Sequence, residues 1–288
     1  MRYGLEIPNG GTCADPRVVA RLARAAEDAG WDGVFLEDYI GYWSQPACPT
    51  ADTWVSLTAI ALATTRIRLG TTVTALSRRR PWKLAREAVS VDLVSEGRLT
   101  LAVGLGDIND PGFACFNEES DSRKRAGRLD EGLAILDGLW TGEPFSFSGD
   151  HYTVEGAHFL PRPVQRPRIP IWVGGGWPRR AVVDRAAGWD GMCPYRFDPD
   201  NPYRDAPETL GPDEVRQIAA DIAARRGSLE DFDVVIGGRE RIADTEARQQ
   251  LVADLEDAGA TWWMEWVPDA PREVMEAAIT RGPLPASP

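Results

Sequence analysis

A short phrase recurs in this chain at the same point of a repeating pattern: Ala29-Gly30-Trp31-Asp32-Gly33, then Ala187-Gly188-Trp189-Asp190-Gly191, with a looser echo in Ala258-Gly259-Ala260-Thr261-Trp262. Each copy follows a helical pattern and precedes an apolar run. A glycine just past a helix adopts the left-handed cap without a Cβ clash, and a short loop then feeds a strand. The phrase is therefore helix-stop, strand-start punctuation, and a chain punctuated in this way alternates helices with strands.

The intervals support that reading. Val18, Leu22, Ala25, Ala26 and Ala29 mark one amphipathic stripe, and Ala126, Leu129, Leu133, Leu136 and Trp140 mark another. Pro81, Pro178, Pro212 and Pro271 each stand where a helical pattern opens, a position at which a missing N–H costs nothing. Apolar runs at 3–7, 33–36, 67–73, 99–103, 170–173, 191–193, 234–236 and 261–267 are continuous rather than alternating. Continuous runs suit parallel strands buried on both faces. About eight strands interleaved with about eight helices predict an α/β protein, a (β/α)8 TIM barrel. Insertions are expected after strand 4, over Leu105–Ser122, and in the 141–165 region, where Phe145–Val154 reads as a small hairpin. No Gly/Ser-rich or Pro-rich linker divides the chain, so 1–282 is read as a single domain and 283–288 as a disordered tail.

Composition narrows the partners. Lys and Arg number 32 against 44 Asp and Glu, a formal charge of −12 that repels phosphate backbones and anionic lipid. No nucleic acid and no membrane is expected as a partner. The start of the chain lacks the apolar region of a signal peptide, and no apolar run approaches the ~18 residues of a membrane span. A cytoplasmic protein is expected. Cys13, Cys48, Cys115 and Cys193 are scattered without a C-x-x-C and read as small buried hydrophobes. With only His151 and His158, no metal site is expected.

In a barrel of this kind the chemistry sits just past the carboxyl ends of the strands. Those positions are rich in glycine and poor in nucleophiles, with no G-x-S-x-G elbow and no Cys–His pairing, so acyl transfer has no support. Gly174-Gly175-Gly176-Trp177-Pro178 is the most specific feature: a strand ends in glycines and a proline opens a helix. Backbone N–H groups there can approach an anion closely, which describes a phosphate cradle; the alternative is a tight turn. Glu37 and Asp38 are adjacent on extended chain and point to opposite sides, so only one faces the mouth and they are no acid–base dyad. Asp38 and Asp107 are read either as loop caps or as catalysts. The run Arg78-Arg79-Arg80 is either a solvated helix entrance or counter-charge for an anionic ligand.

The segments Gly70–Thr74, Arg80–Glu87, Asp92–Leu99, Val103–Asp107 and Pro161–Gly175 together resemble the bacterial-luciferase-like flavin-dependent oxidoreductases, in order from residue 3 to about 265. The resemblance implies a reduced flavin, or the related deazaflavin coenzyme F-420, lying in the mouth of a TIM barrel. It implies that the phosphate rests on Gly174, Gly175 and Gly176 beside Trp177. The ring would then lie against Thr71, Thr72 and Val73 and the Gly104-Leu105-Gly106 turn. A non-prolyl cis peptide at Thr72–Val73 is implied as well. Many relatives carry an Asp-His pair where this chain has Asp38-Tyr39, and some deazaflavin users carry a proton-donating Glu where it has Asp107. A phenol titrates near 10 and does not replace imidazole in proton transfer, so Tyr39 is read as a hydrogen-bond donor, with Asp38 or Asp107 left to titrate. The main expectation is a monooxygenase using O2 and reduced FMN from a separate flavin reductase on a small organic substrate, assembled as a homodimer. One alternative is F-420-dependent hydride transfer, with Arg78–Arg80 serving the coenzyme's polyanionic tail. The other is a flavin-binding protein with degenerate chemistry.

Overall fold

In the computed structural model, which describes residues 1–42, 47–107, 110–197, 209–238 and 245–284, eight parallel strands close on themselves. They are β1 (Arg2–Ile7), β2 (Gly33–Leu36), β3 (Arg68–Thr71) with its continuation β4 (Thr74–Ala75), β5 (Leu99–Gly104), β8 (Ile171–Trp177), β9 (Gly191–Arg196), β10 (Asp233–Gly238) and β11 (Trp262–Trp266). Pairing runs β1–β2–β3–β5–β8–β9–β10–β11 and returns to β1 through Arg2–Glu6 against Trp262–Trp266. A ring of helices surrounds them: α1 (Pro16–Asp28), α2 (Thr53–Ala63), α3 (Pro81–Val94), α5 (Ser122–Trp140), α6 (Arg180–Ala186), α7 (Pro212–Arg226), α8 (Thr245–Asp257) and α9 (Arg272–Thr280). The closed barrel with its helical jacket is the (β/α)8 fold expected from the sequence.

Both insertions are present. The first carries a single helical turn, α4 (Pro111–Cys115), and the second an antiparallel hairpin, β6 (Pro144–Ser148) with β7 (Thr153–His158). The hairpin is strapped along α5, where the Glu131 carboxylate accepts the backbone N–H groups of Asp150, His151 and Tyr152.

Punctuation worked where backbone geometry demanded it. Gly30 and Gly259 take left-handed φ values of 91° and 108°, whereas Gly188 does not, because α6 ends in tight turns that need no left-handed residue. Pro81 and Pro212 open α3 and α7. Pro271 instead caps α9, and Pro178 stands outside α6, which starts at Arg180 after a cis Trp177–Pro178 bond. The run at 67–73 is not one strand: β3 stops at Thr71, the Thr72–Val73 bond is cis, and pairing resumes at Thr74. The run at 170–173 continues to Trp177.

Aromatic residues plug the barrel below the mouth. Phe35 stacks on Trp172 at 5.1 Å, and Trp262 meets both edge-on, with Ala102, Val235 and Met264 completing the layer. Gly4 and Gly33 make the space: a Cβ there would lie 2.5 Å from the Met264 sulfur or 2.6 Å from the Phe35 ring. At the far end of the tail, Leu284 is buried against the helices, and 285–288 lie outside the described residues. Among the described residues no helix is long and apolar enough to cross a membrane.

Between α2 and β3 the chain turns on one buried carboxylate, that of Glu27 in α1. It accepts from the N–H groups of Thr65 (3.0 Å), Arg66 (2.6 Å) and Ile67 (2.8 Å). Its removal leaves several buried donors without partners, each costing about 1–3 kcal/mol. Glu27→Ala is therefore expected to lower the unfolding free energy by about 2–4 kcal/mol, measured by urea denaturation, with the helix content of the folded state retained.

Candidate active site

Every strand delivers a residue to the wide end of the barrel, and two loops there are rigid. Asn9, fully buried after β1, donates from Nδ2 to the carbonyls of Tyr39 and Ala51 at 2.8 and 2.9 Å, tying the loop after β2 to its neighbours. The Asp38 carboxylate accepts from Arg79 at 2.6 and 2.8 Å and from the Thr74 hydroxyl at 2.8 Å, while Arg78 donates to its carbonyl. Asp38 is thus an electrostatic clamp across the top of β4, with both oxygens occupied. Arg78 is itself buried in an ion pair with Asp110. Two of the three arginines read as counter-charge are therefore spent internally, and only Arg80, at the helix entrance, is exposed.

Tyr39 is held by its backbone and packs against Tyr42, the ring centroids 4.8 Å apart and the planes tilted by 44°. Its hydroxyl has no hydrogen-bond partner among the described residues. Burial first, then the charges of Glu37, Asp107, Asp110 and Glu6, push the phenol above its ordinary value. It stays protonated at any physiological pH. Asp107 lies exposed at the rim, near enough to Tyr39, Tyr195 and Arg125 to act on all three.

The residues expected beneath a ring are brought together by Val73. A Cβ at Gly174 would lie 2.8 Å from one Val73 methyl, and one at Gly104 would lie 3.0 Å from the other, so Val73 is seated in a notch between two glycines. Thr71 is buried and donates to the Ala102 carbonyl. Thr72 Oγ1 is buried beside the Glu6 carboxyl, on which it acts, and meets no other partner among the described residues. The Leu105 carbonyl accepts from Ser77 and Arg125, and that of Gly106 from Arg125, at a left-handed φ of 78° that suits glycine.

The three glycines of the expected cradle lie inside β8, not in a loop after it. Alternate residues of a parallel strand direct their backbone groups to the same neighbour. Ile171 and Trp177 carbonyls accept from the β9 side, from Asp190 and Phe197, so Gly174 and Gly176 face the other way. There the Val103–Val173 pair still takes the Gly174 N–H for the Val103 carbonyl, and β5 pairs no further, so only Gly176 has backbone groups beyond the end of that ladder. Gly175 faces α6, where a Cβ would meet Val182 at 2.5 Å, and Trp177 packs outward among the helices. Only Gly174 and Gly176 of this group therefore face the mouth. Beyond them Arg179 caps α6 without a side-chain acceptor for its first turn. Its guanidinium lies 3.5 Å over Phe197, with no acidic partner among the described residues. Two strands away, a Cβ at Gly237 would meet nothing within 4 Å among the described residues.

Two functional candidates escaped the sequence. Gly4 and Phe35 point into the barrel, so by strand alternation Glu6 and Glu37 do too. Glu37, rather than Asp38, is the inward member of its pair; the Tyr42 hydroxyl donates to it. Burial raises Glu37, and burial together with the Glu37 charge pushes Glu6 up to about 8. The signal was available in the period of β1, where Glu6 shares the inward face with Gly4.

The profile of luciferase-like monooxygenases matches residues 2–282. The chain belongs to the luciferase-like monooxygenase family. An F420-dependent glucose-6-phosphate dehydrogenase from Gordonia bronchialis is 33% identical over 178 residues, which is 60% of this chain and 51% of that protein. The matched part spans about half the length of such curated relatives. Among solved structures, an F420-dependent secondary alcohol dehydrogenase superposes with a TM-score of 0.77 at 15% identity, covering 97% of both chains. A monooxygenase from Streptomyces bottropensis gives 0.73 at 20% identity, covering 97% of this chain and 96% of that one. At those identities the two structures speak for the shared barrel.

Glu6 also makes the fold pH-sensitive. An unfolded glutamate titrates near 4.5 and the folded one near 8, so between these values only the native state holds the proton. The stabilisation is complete below about 4.5 and is lost as pH rises through 8. Glu6→Gln, which cannot ionise, should gain stability relative to the parent on going from pH 4.5 to 9, by up to a few kcal/mol in urea unfolding. An unchanged difference across that range would place Glu6 in an environment like water.

Proposed function

We propose that the protein is an oxidoreductase that exchanges a hydride with a deazaflavin coenzyme of the F-420 type, acting on a hydroxyl-bearing carbon of a small organic substrate. This prefers the second of the two cofactor readings open in the sequence, and no flavin reductase is then required. Two kinds of support favour it: curated relatives at about one-third identity are named as F420-dependent dehydrogenases, and the site suits a phosphate-bearing ring cofactor. The observation that carries the binding mode is the stepped edge of β8, where the backbone of Gly176 has no strand partner on the β5 side, beside Arg179, which has no acidic partner among the described residues.

In this reading Gly176 and Arg179 hold the anionic end, and Val73, seated on Gly174, beds the ring together with Thr72 and the Gly104–Gly106 turn. When bound, the coenzyme supplies a carbon centre that accepts or gives hydride. The chain's own task is to bind, orient and exclude water. Tyr39, rigidly held and permanently protonated, donates a hydrogen bond to the substrate oxygen and stabilises charge that develops there. Asp38 acts on the site only by fixing the loop that carries Tyr39. A homodimer is also proposed, through the apolar outer faces of α2 and α3, where Val55, Leu62, Leu93 and Val94 are exposed.

Titration of the purified protein with the deazaflavin, FMN and FAD, followed by fluorescence, should show the deazaflavin binding at least tenfold more tightly. Arg179→Ala should weaken that binding about tenfold or more, as expected for loss of a charge-assisted contact. Tighter binding of FMN would return the protein to the oxygen-using branch of its family. Tyr39→Phe should lower turnover by about one to three orders of magnitude at nearly constant coenzyme affinity, the usual effect of deleting one preorganised donor. Turnover at the parent rate would make Tyr39 a wall of the pocket only.

A further inference from the structure

A hydride transfer to or from a hydroxyl-bearing carbon also moves a proton, and the groups first considered for it are unavailable. Asp38 has both oxygens engaged by Arg79 and Thr74, and Tyr39 holds its proton too firmly to release it. Asp107 is exposed to solvent, whereas a reaction shielded from water calls for an enclosed proton carrier.

Glu6 differs from all three. It ends β1 inside the barrel, one residue before the strand leaves it, and pairs through its backbone with Phe35 and Trp266. Its side chain is half-buried and directed into the barrel by the alternation of β1. The groups that face it are Glu37 from the end of β2, Tyr39 beyond it, the Thr72 hydroxyl beneath the proposed ring bed, and Cys193 from β9. No cation among the described residues pairs with it. A carboxyl so placed keeps its proton near neutral pH and stays close to losing it.

We propose that Glu6 is the proton carrier of this site, with Glu37 as the neighbouring carboxylate that sets how firmly the proton is held. The inference rests on the hydride-transfer function proposed above. In the oxidative direction the substrate C–H bond breaks and its hydride leaves to the oxidised deazaflavin. The substrate O–H bond breaks with it, the proton passes to the Glu6 carboxylate, and the freed electron pair on oxygen closes the carbonyl. Reduction runs the same steps backwards, with Glu6 giving up its proton. The pair does for this chain what an imidazole does elsewhere: it offers both protonation states close to neutrality.

The test begins on the full chain without coenzyme. At about pH 6.5, where ordinary carboxylates are ionised, difference infrared spectra should show the C=O band of a protonated carboxylic acid. The band should disappear in Glu6→Gln and titrate at lower pH in Glu37→Gln, which removes the neighbouring charge. With the deazaflavin bound, Glu6→Gln should slow single-turnover hydride transfer by about 10²–10⁴-fold and abolish the pH dependence near 8, with coenzyme affinity within twofold of the parent. Glu6→Asp should recover part of the rate. A missing infrared band, or hydride transfer in Glu6→Gln at the parent rate, overturns the assignment of Glu6 alone. A protein that binds FMN and not the deazaflavin overturns the function and this step together.

Discussion

One contact organises the mouth of this barrel: Val73, seated between the missing side chains of Gly104 and Gly174. Strand 3 breaks for it, stopping at Thr71 and resuming at Thr74, and the flanking strands accept it only because both lack a Cβ at that level. An alanine at either glycine would press on a Val73 methyl at 3.0 Å or less. Of the glycines that read as a loop for an anion, Gly174 is thus a packing requirement, and the backbone left without a β5 partner belongs to Gly176.

The charges near the mouth divide by partner. Asp38 and Asp110 meet arginines and become struts for the loops after β2 and β5. Glu6 and Glu37 meet no cation among the described residues, so burial raises their proton affinity rather than fixing their charge. Two carboxylates adjacent in sequence, Glu37 and Asp38, take opposite roles because strand alternation sends one inward and the other toward Arg79. Chemistry on this side of the barrel is set by direction more than by residue type.

The barrel was legible because parallel strands buried on both faces leave continuous apolar runs and because Gly30 and Gly259 must be left-handed. Element edges were less legible. The strand through Gly174–Gly176 is held by pairing with β9, a long-range contact with no local signature, so it outlasted its apolar run. Pro178 looked like a helix start, yet the backbone needed a turn there first. In the site, the Thr72–Val73 bed and the Gly104–Gly106 turn came through resemblance, and the structure brings them together around Val73. Glu6 was missed because a single Glu in a strand looks like an edge residue until closure of the barrel shows which way it points. Trp177 was included with the glycines by adjacency and faces the opposite side of the sheet.

The step between β5 and β8 leaves backbone groups of Gly176 at the opening where a neighbour strand would otherwise consume them. Peptide amides do not titrate, and an arginine keeps its charge. The grip proposed from Gly176 and Arg179 is therefore indifferent to acidity. Proton delivery, by contrast, is vested in groups whose charge follows the surroundings. The barrel therefore separates holding from reacting: the affinity of the mouth can stay constant across a pH range in which its reactivity changes, so the two properties are free to evolve on different residues.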